Sequence, residues 1–212
     1  MKRTRSMLMA FLFLAALPSE PVSALAGESS RVSLGLALVR TNSQALLIGD
    51  ARPTELATVG GAMSLDVAIC RRLSLSVVGR LTGTWNDFDN GSSNSGKVEV
   101  LEPGLSIGPV AVVPFSNNAR LSFGGRFEYS EIRSWSHARV AFLPYDVTGP
   151  RNFRRGVVLL GSVEAGETWW HPFAEVNGGA YLAGAKAPLL SARYRWLSPA
   201  ATVCLGVRLG TR

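Results

Sequence analysis

The sequence predicts an all-β protein, an eight-stranded antiparallel up-and-down barrel of the transmembrane kind, and three observations carry that prediction. Eight stretches alternate apolar with small or polar residues at a period of two. The connections between them alternate between short and long. The chain also opens with the three-part layout of a secretory leader.

The leader comes first. Lys2, Arg3 and Arg5 form a basic start, residues 7–17 are an uninterrupted apolar run, and Ala24-Leu25-Ala26 is an A-x-A cleavage pattern before Gly27. Those 11 residues fall short of the roughly 20 that a spanning helix needs. Residues 1–26 are therefore expected to be a cleaved signal peptide, and 27–212 a single domain. No later segment is long and apolar enough to be a helical span, yet 47% of the 212 residues are apolar and only 17% charged. Charge-driven disorder is excluded, and alternation explains how so apolar a chain is built.

In residues 31–39, Val32, Leu34, Leu36 and Leu38 oppose Ser33, Gly35 and Ala37. In the second run Val59, Gly61, Met63, Leu65 and Val67 oppose Thr58, Gly60, Ala62, Ser64 and Asp66. The third sets Leu73, Leu75, Val77, Leu81 and Trp85 against Arg72, Ser74, Ser76, Arg80, Thr82 and Thr84. Comparable two-faced strands are predicted over 101–113, 120–132, 157–166, 174–182 and 201–210. Short links are predicted near 66–71, 114–118 and 169–172, and long ones over 40–55, 86–96, 133–155 and 186–199. Tight turns at one end and long polar loops at the other suit an outer-membrane barrel.

The orientation of the faces separates a membrane barrel from a soluble lipocalin-like carrier. Here the polar face is dominated by Gly, Ala, Ser and Thr with isolated ions. That composition fits a narrow lumen better than a solvated surface, which would carry more long charged side chains. Trp85, Tyr129 and Trp135 would lie at the loop-side boundary, and Phe115, Trp169 and Trp170 at the turn side, as two aromatic belts.

With these strands, and the stretch Leu101-Glu102-Pro103-Gly104-Leu105-Ser106-Ile107-Gly108 among them, the chain resembles the small eight-stranded outer-membrane β-barrels of Gram-negative bacteria, the group of the OmpA transmembrane domain and OmpX-like proteins. The resemblance implies residence in the outer membrane, contact with its lipid and lipopolysaccharide, and assembly by the barrel-assembly machinery. Members usually end their last strand on an aromatic residue. This chain ends Leu209-Gly210-Thr211-Arg212.

Catalytic chemistry is sparse. His137 falls on a long loop, where a lipid-modifying esterase would need a nucleophile and an orienting acid; spacing indicates no nearby carboxylate. His171, before Pro172, reads as part of a tight turn. Cys70 and Cys204 are expected to be free thiols, too far apart to bond and without metal-site spacing. Gly60-Gly61, Gly124-Gly125 and Gly178-Gly179 precede no helix in a phosphate-loop pattern. Neither an enzyme, a cofactor, a metal nor a nucleic-acid partner is expected, although the formal charge of +7 permits a polyanion.

Two ionic groups carry the functional expectation. Arg72, Arg80, Glu102, Arg120, Arg126, Glu128, Glu164, Glu175 and Arg208 fall on the inward face and are expected to pair across a lumen barely wide enough for side chains. They would act as a plug, or as the gate of a narrow pore. Arg133, Arg139, Arg151, Arg154 and Arg155, with Lys186, Arg193 and Arg195, concentrate charge on two outer loops, where guanidinium groups could hold lipopolysaccharide phosphates.

Overall fold

The computed structural model describes residues 32–47, 52–70, 72–89, 95–116, 118–140, 143–166, 169–186 and 193–210. The expected signal peptide lies outside them. The strands are β1 (Val32–Ala45), β2 (Thr54–Cys70), β3 (Leu73–Asp89), β4 (Ser95–Ser116), β5 (Ala119–Val140), β6 (Leu143–Thr148), β7 (Arg151–Ala165), β8 (Trp170–Lys186) and β9 (Arg193–Gly210). Sheet order is β4-β3-β2-β1-β9-β8-β7-β5-β6, and a further β4–β5 pairing closes the ring. Every neighbour is antiparallel. Eight strands form the wall, as the alternation predicts, and short β6 pairs only with the outer end of β5.

The wall strands run from 14 to 22 residues, well beyond the roughly 9–11 that cross a bilayer. Four predicted loops shrink accordingly. The loop expected over 86–96 is largely ladder, since Asp87 pairs Lys97 and Asp89 pairs Ser95. The 133–155 loop resolves into the end of β5, β6 and the start of β7, and 186–199 contains the first seven residues of β9. The 40–55 loop likewise yields residues to β1 and β2. Sequence reading stopped these strands where the outward residues turned polar. Backbone pairing continues past that point because a strand rising above the apolar zone can expose polar residues on both faces.

The two faces are inverted relative to a soluble protein. Leu38 is 74% exposed and Leu159 72%, and Leu36, Val59, Leu105, Phe127, Val157, Val176, Leu197 and Leu205 also point outward. Arg126, Arg154, Glu102 and Thr58 are buried. An apolar exterior of this extent is stable only against hydrocarbon, so the chain is a membrane-spanning barrel and not a lipocalin-like carrier. Exposed Trp85 and Tyr129 flank the band at its loop side, and Phe115, Trp169 and Trp170 at its turn side.

Small residues let the narrow wall close. A Cβ on Gly108 would stand 2.1 Å from the Gly125 carbonyl oxygen, so no other residue fits this crossing of β4 over β5. Gly166, in the β7–β8 turn, has φ 128°, a conformation that L-residues with side chains rarely adopt.

Candidate functional site

The lumen is filled by ions contributed from seven strands. Toward the turn end, Arg208 on β9 reaches Glu164 on β7 at 2.9 Å, Asp66 on β2 at 3.3 Å and Glu175 on β8 at 3.7 Å. Glu175 also accepts a fork from Arg126 on β5, at 2.6 and 3.0 Å. Higher up, Arg80 on β3 bridges Glu102 on β4 (2.9 Å) and Glu128 on β5 (2.6 Å). Arg154 on β7 also pairs with Glu102. Four guanidiniums, Arg80, Arg126, Arg154 and Arg208, thus meet five carboxylates, Asp66, Glu102, Glu128, Glu164 and Glu175. The Arg208 guanidinium lies over the Phe173 ring at 4.5 Å, and that of Arg154 over Tyr181 at 5.4 Å. Hydroxyls complete the packing: Thr58 donates to Thr82 (2.8 Å) and to Glu102 (3.4 Å).

This arrangement neutralises charges that would be costly to leave alone in a region screened from water. It brings together seven of the nine residues expected there, with Arg120 half-buried on β5 opposite Glu164. Arg72 is the exception. It is a turn residue just before β3 and is exposed, because β3 begins one residue later, at the end of the barrel. Two members were missed. Asp66, read both as the last residue on the polar face of the second strand and as the start of a short link, pairs as a strand residue. Arg154 was expected on the outer rim, and it is buried. Extending the alternation of β7 backward from Glu164 through Ser162, Leu160, Val158 and Gly156 reaches Arg154 on the same inward face.

Above the ions an apolar cluster of Ala45, Leu56, Val100 and Ile132, with Leu47 and Val98 against it, crosses the outer mouth. Asn152 on β7 fixes it. Leu46 N–H donates to Asn152 Oδ1 at 2.8 Å, and Asn152 Nδ2 donates to the Leu46 carbonyl at 2.9 Å. One side-chain amide thereby imitates a ladder partner for the end of β1.

The outer rim is built from residues that alternate away from the lumen. Arg151 and Arg155 on β7, Lys186 on β8 and Arg195 on β9 are exposed, and Arg151 stands directly opposite Lys186 in the ladder. None of these four makes an ion pair among the described residues. Arg133 is engaged by Glu131, donating at 2.9 and 3.1 Å. That hydrogen bonding, opposed by partial burial and helped by the charges of Arg133 and Arg151, lowers the Glu131 pKa; the same hydrogen bonding and the Glu131 charge raise that of Arg133. Arg139 and Arg193 lie in β5 and β9 by backbone; their side chains are outside the described residues.

Both histidines differ from expectation. β6 brings Asp146 opposite His137, and His137 Nδ1 lies 2.9 Å from Asp146 Oδ1, so an orienting carboxylate is present where spacing indicated none. The neighbouring Ser134 and Ser136 are buried on the other face; no hydroxyl joins the pair among the described residues. His171 is a buried β8 residue opposite Arg208, not a turn residue. Cys70 is an exposed free thiol and Cys204 a buried one.

No protein-family model matches the sequence, and no curated protein matches it. Among solved structures, the chain is similar to Ail, the attachment invasion locus protein of Yersinia pestis, in complex with the heparin analogue sucrose octasulfate. The two are 10% identical over 86% of this chain and 98% of that one, with a TM-score of 0.49. It is also similar to Neisserial surface protein A (10% identity, 86% and 99% covered, TM-score 0.43). The outer membrane protein AlkL in lipid bilayers is 6% identical, with 92% and 95% covered and a TM-score of 0.44. The resemblance read from the sequence is one of architecture, that of the small outer-membrane β-barrels.

Proposed function

We propose that this barrel serves the outer membrane from its outer surface and not through a pore or by catalysis, holding lipopolysaccharide phosphates on the row Arg151, Arg155, Lys186 and Arg195. The observation that carries this reading is the Arg151–Lys186 pair. Like charges directly opposite on one sheet face destabilise it, and here both are exposed with no ion pair among the described residues, the Glu131 carboxylate that feels the charge of Arg151 being held by the Arg133 fork. An anion bridging them would turn repulsion into attraction, and phosphate suits the guanidinium fork. A conducting lumen is disfavoured by the ion pairs and by the apolar mouth above them.

The test replaces Arg151, Arg155, Lys186 and Arg195 with Ser, leaving Arg154 intact because it supports the core. The parent should bind diphosphorylated lipid A in detergent more weakly as salt rises, and the variant should bind less and lose most of that salt dependence. Discrete conductance steps from the parent in planar bilayers would overturn the non-conducting part of the proposal. Equal low-salt binding by parent and variant would overturn the rim.

A further inference from the structure

The wall has a local opening. β1 and β9 pair in register from Ser33–Gly210 up to Asn42–Ala201 and stop there. Continuing the register would match Ser43 with Ala200 and Gln44 with Pro199, and neither pair forms. Both strands contribute to the break. Pro199 has no N–H to donate, and β1 turns inward, where Ala45 enters the apolar cluster and Asn152 clasps Leu46. What remains between the strands is a groove of about 540 Å³, lined by Arg40, Asn42, Gln44, Glu55, Pro199 and Ala201 among others. That volume falls in the range of small-molecule sites, roughly 300–1,000 Å³.

The lining is graded along the barrel axis. Arg40 stands at the lower lip, level in the ladder with exposed Val59 on one side and Val203 on the other, with Leu38 next below it on the outward face. Asn42, Gln44 and Glu55 lie farther out. None of these four polar side chains has a hydrogen bond or ion pair among the described residues. A single guanidinium at the hydrocarbon boundary selects an anionic oxygen. Two amides and a carboxylate beyond it match hydroxyls, and Pro199 and Ala201 offer an apolar wall to a ring. A simple anion would not use Glu55, and a zwitterionic head would leave the amides idle.

We propose that this seam groove binds the phosphorylated sugar head of an outer-leaflet glycolipid of the lipid A class. The phosphate lies on Arg40, the sugar hydroxyls meet Asn42, Gln44 and Glu55, and the acyl chains descend along Leu38, Val59 and Val203. The inference rests on the outer-membrane placement proposed above but uses none of the rim residues.

The mature chain in detergent micelles is titrated with four probes and read by native mass spectrometry. They are diphosphorylated lipid A, lipid A stripped of phosphate, phosphatidylglycerol, and the deacylated glucosamine disaccharide phosphate. The parent should prefer lipid A over the other three. In the four-residue rim variant, which leaves only the groove, Arg40→Ser should lower lipid A affinity at least tenfold and abolish the preference over the dephosphorylated form. Glu55→Gln should weaken lipid A and leave phosphatidylglycerol unchanged. Ala201→Trp in the same background should fill the groove and remove lipid A selectivity, while the rim variant without it binds less lipid A than the parent but keeps the preference. Retention of the parent preferences by Arg40→Ser and Glu55→Gln would overturn the proposal even if Ala201→Trp failed to fold. Equal binding of the deacylated disaccharide would overturn a lipid occupant, and equal binding of phosphatidylglycerol a sugar-bearing one. Loss of all lipid A preference in the rim variant would place the ligand on the rim and overturn the groove; undiminished lipid A binding by the rim variant would keep the groove and dismiss the rim.

Discussion

Arg154 and Glu102 meet across the lumen from β7 and β4, with neither side chain open to solvent. Glu102 also compensates Arg80, which retains Glu128 at 2.6 Å; Arg154 pairs with no other carboxylate among the described residues. Glu102→Gln should therefore strand Arg154 and destabilise the barrel by about 3–5 kcal/mol. Adding Arg154→Met should restore much of that loss. Urea midpoints in micelles measure both, and a single-variant cost below about 1 kcal/mol would contradict the stranded-charge account.

Arg126 and Glu175 form the most regular pair, a two-pronged fork at 2.6 and 3.0 Å. A double-mutant cycle with Arg126→Met and Glu175→Gln should give a coupling of about 1–3 kcal/mol. Glu175→Gln should be the costlier single change, because Arg208 also lies 3.7 Å from that carboxylate.

Asn152 offers a local test. Asn152→Leu removes both hydrogen bonds to Leu46 while keeping a similar volume, so the Leu46 amide should exchange with solvent at least tenfold faster. Amides in the middle of β1, held by β2 and β9, should be unaffected. Uniform acceleration along β1 would show that the clasp supports the whole wall and not only the mouth.

Glu131 supplies a pH prediction. Its folded pKa lies below the ordinary 4.5, chiefly through its hydrogen bonds from Arg133. A depressed carboxyl stabilises the folded state at pH above its ordinary value and ceases to do so as pH falls through the lowered one. Carboxyl NMR should find a Glu131 midpoint under 4.5 that returns toward 4.5 in Arg133→Ser. An unchanged midpoint in that variant would exclude the fork as the cause.

Much of this architecture is legible because alternation is a local property: Leu34, Leu36 and Leu38 announce their face without any partner. Strand ends are less legible. Above the apolar band Arg151 and Arg155 face outward while Asn152 and Arg154 face inward, so both parities are polar and period alone marks no strand. The inward ions could be recognised by parity, but their partners could not, since Arg208 and Asp66 lie on strands joined only through β1. Asp146 escaped notice for a similar reason. Its position beside His137 depends on the β5–β6 register, which residue spacing does not encode.

The two halves of the ionic lumen differ in when they become possible during biogenesis. Arg154 reaches Glu102 over 52 residues and Arg126 reaches Glu175 over 49, and both contacts lie within β4 to β8, a run of neighbouring hairpins. Arg208 belongs to the last strand, and its Asp66 partner lies on the far side of the β1–β9 seam. A curling, still open sheet can therefore shelter these two pairs early, with modest loop-closure entropy. The lower cluster is complete only when the chain's two ends meet, which makes Arg208 an electrostatic latch on ring closure.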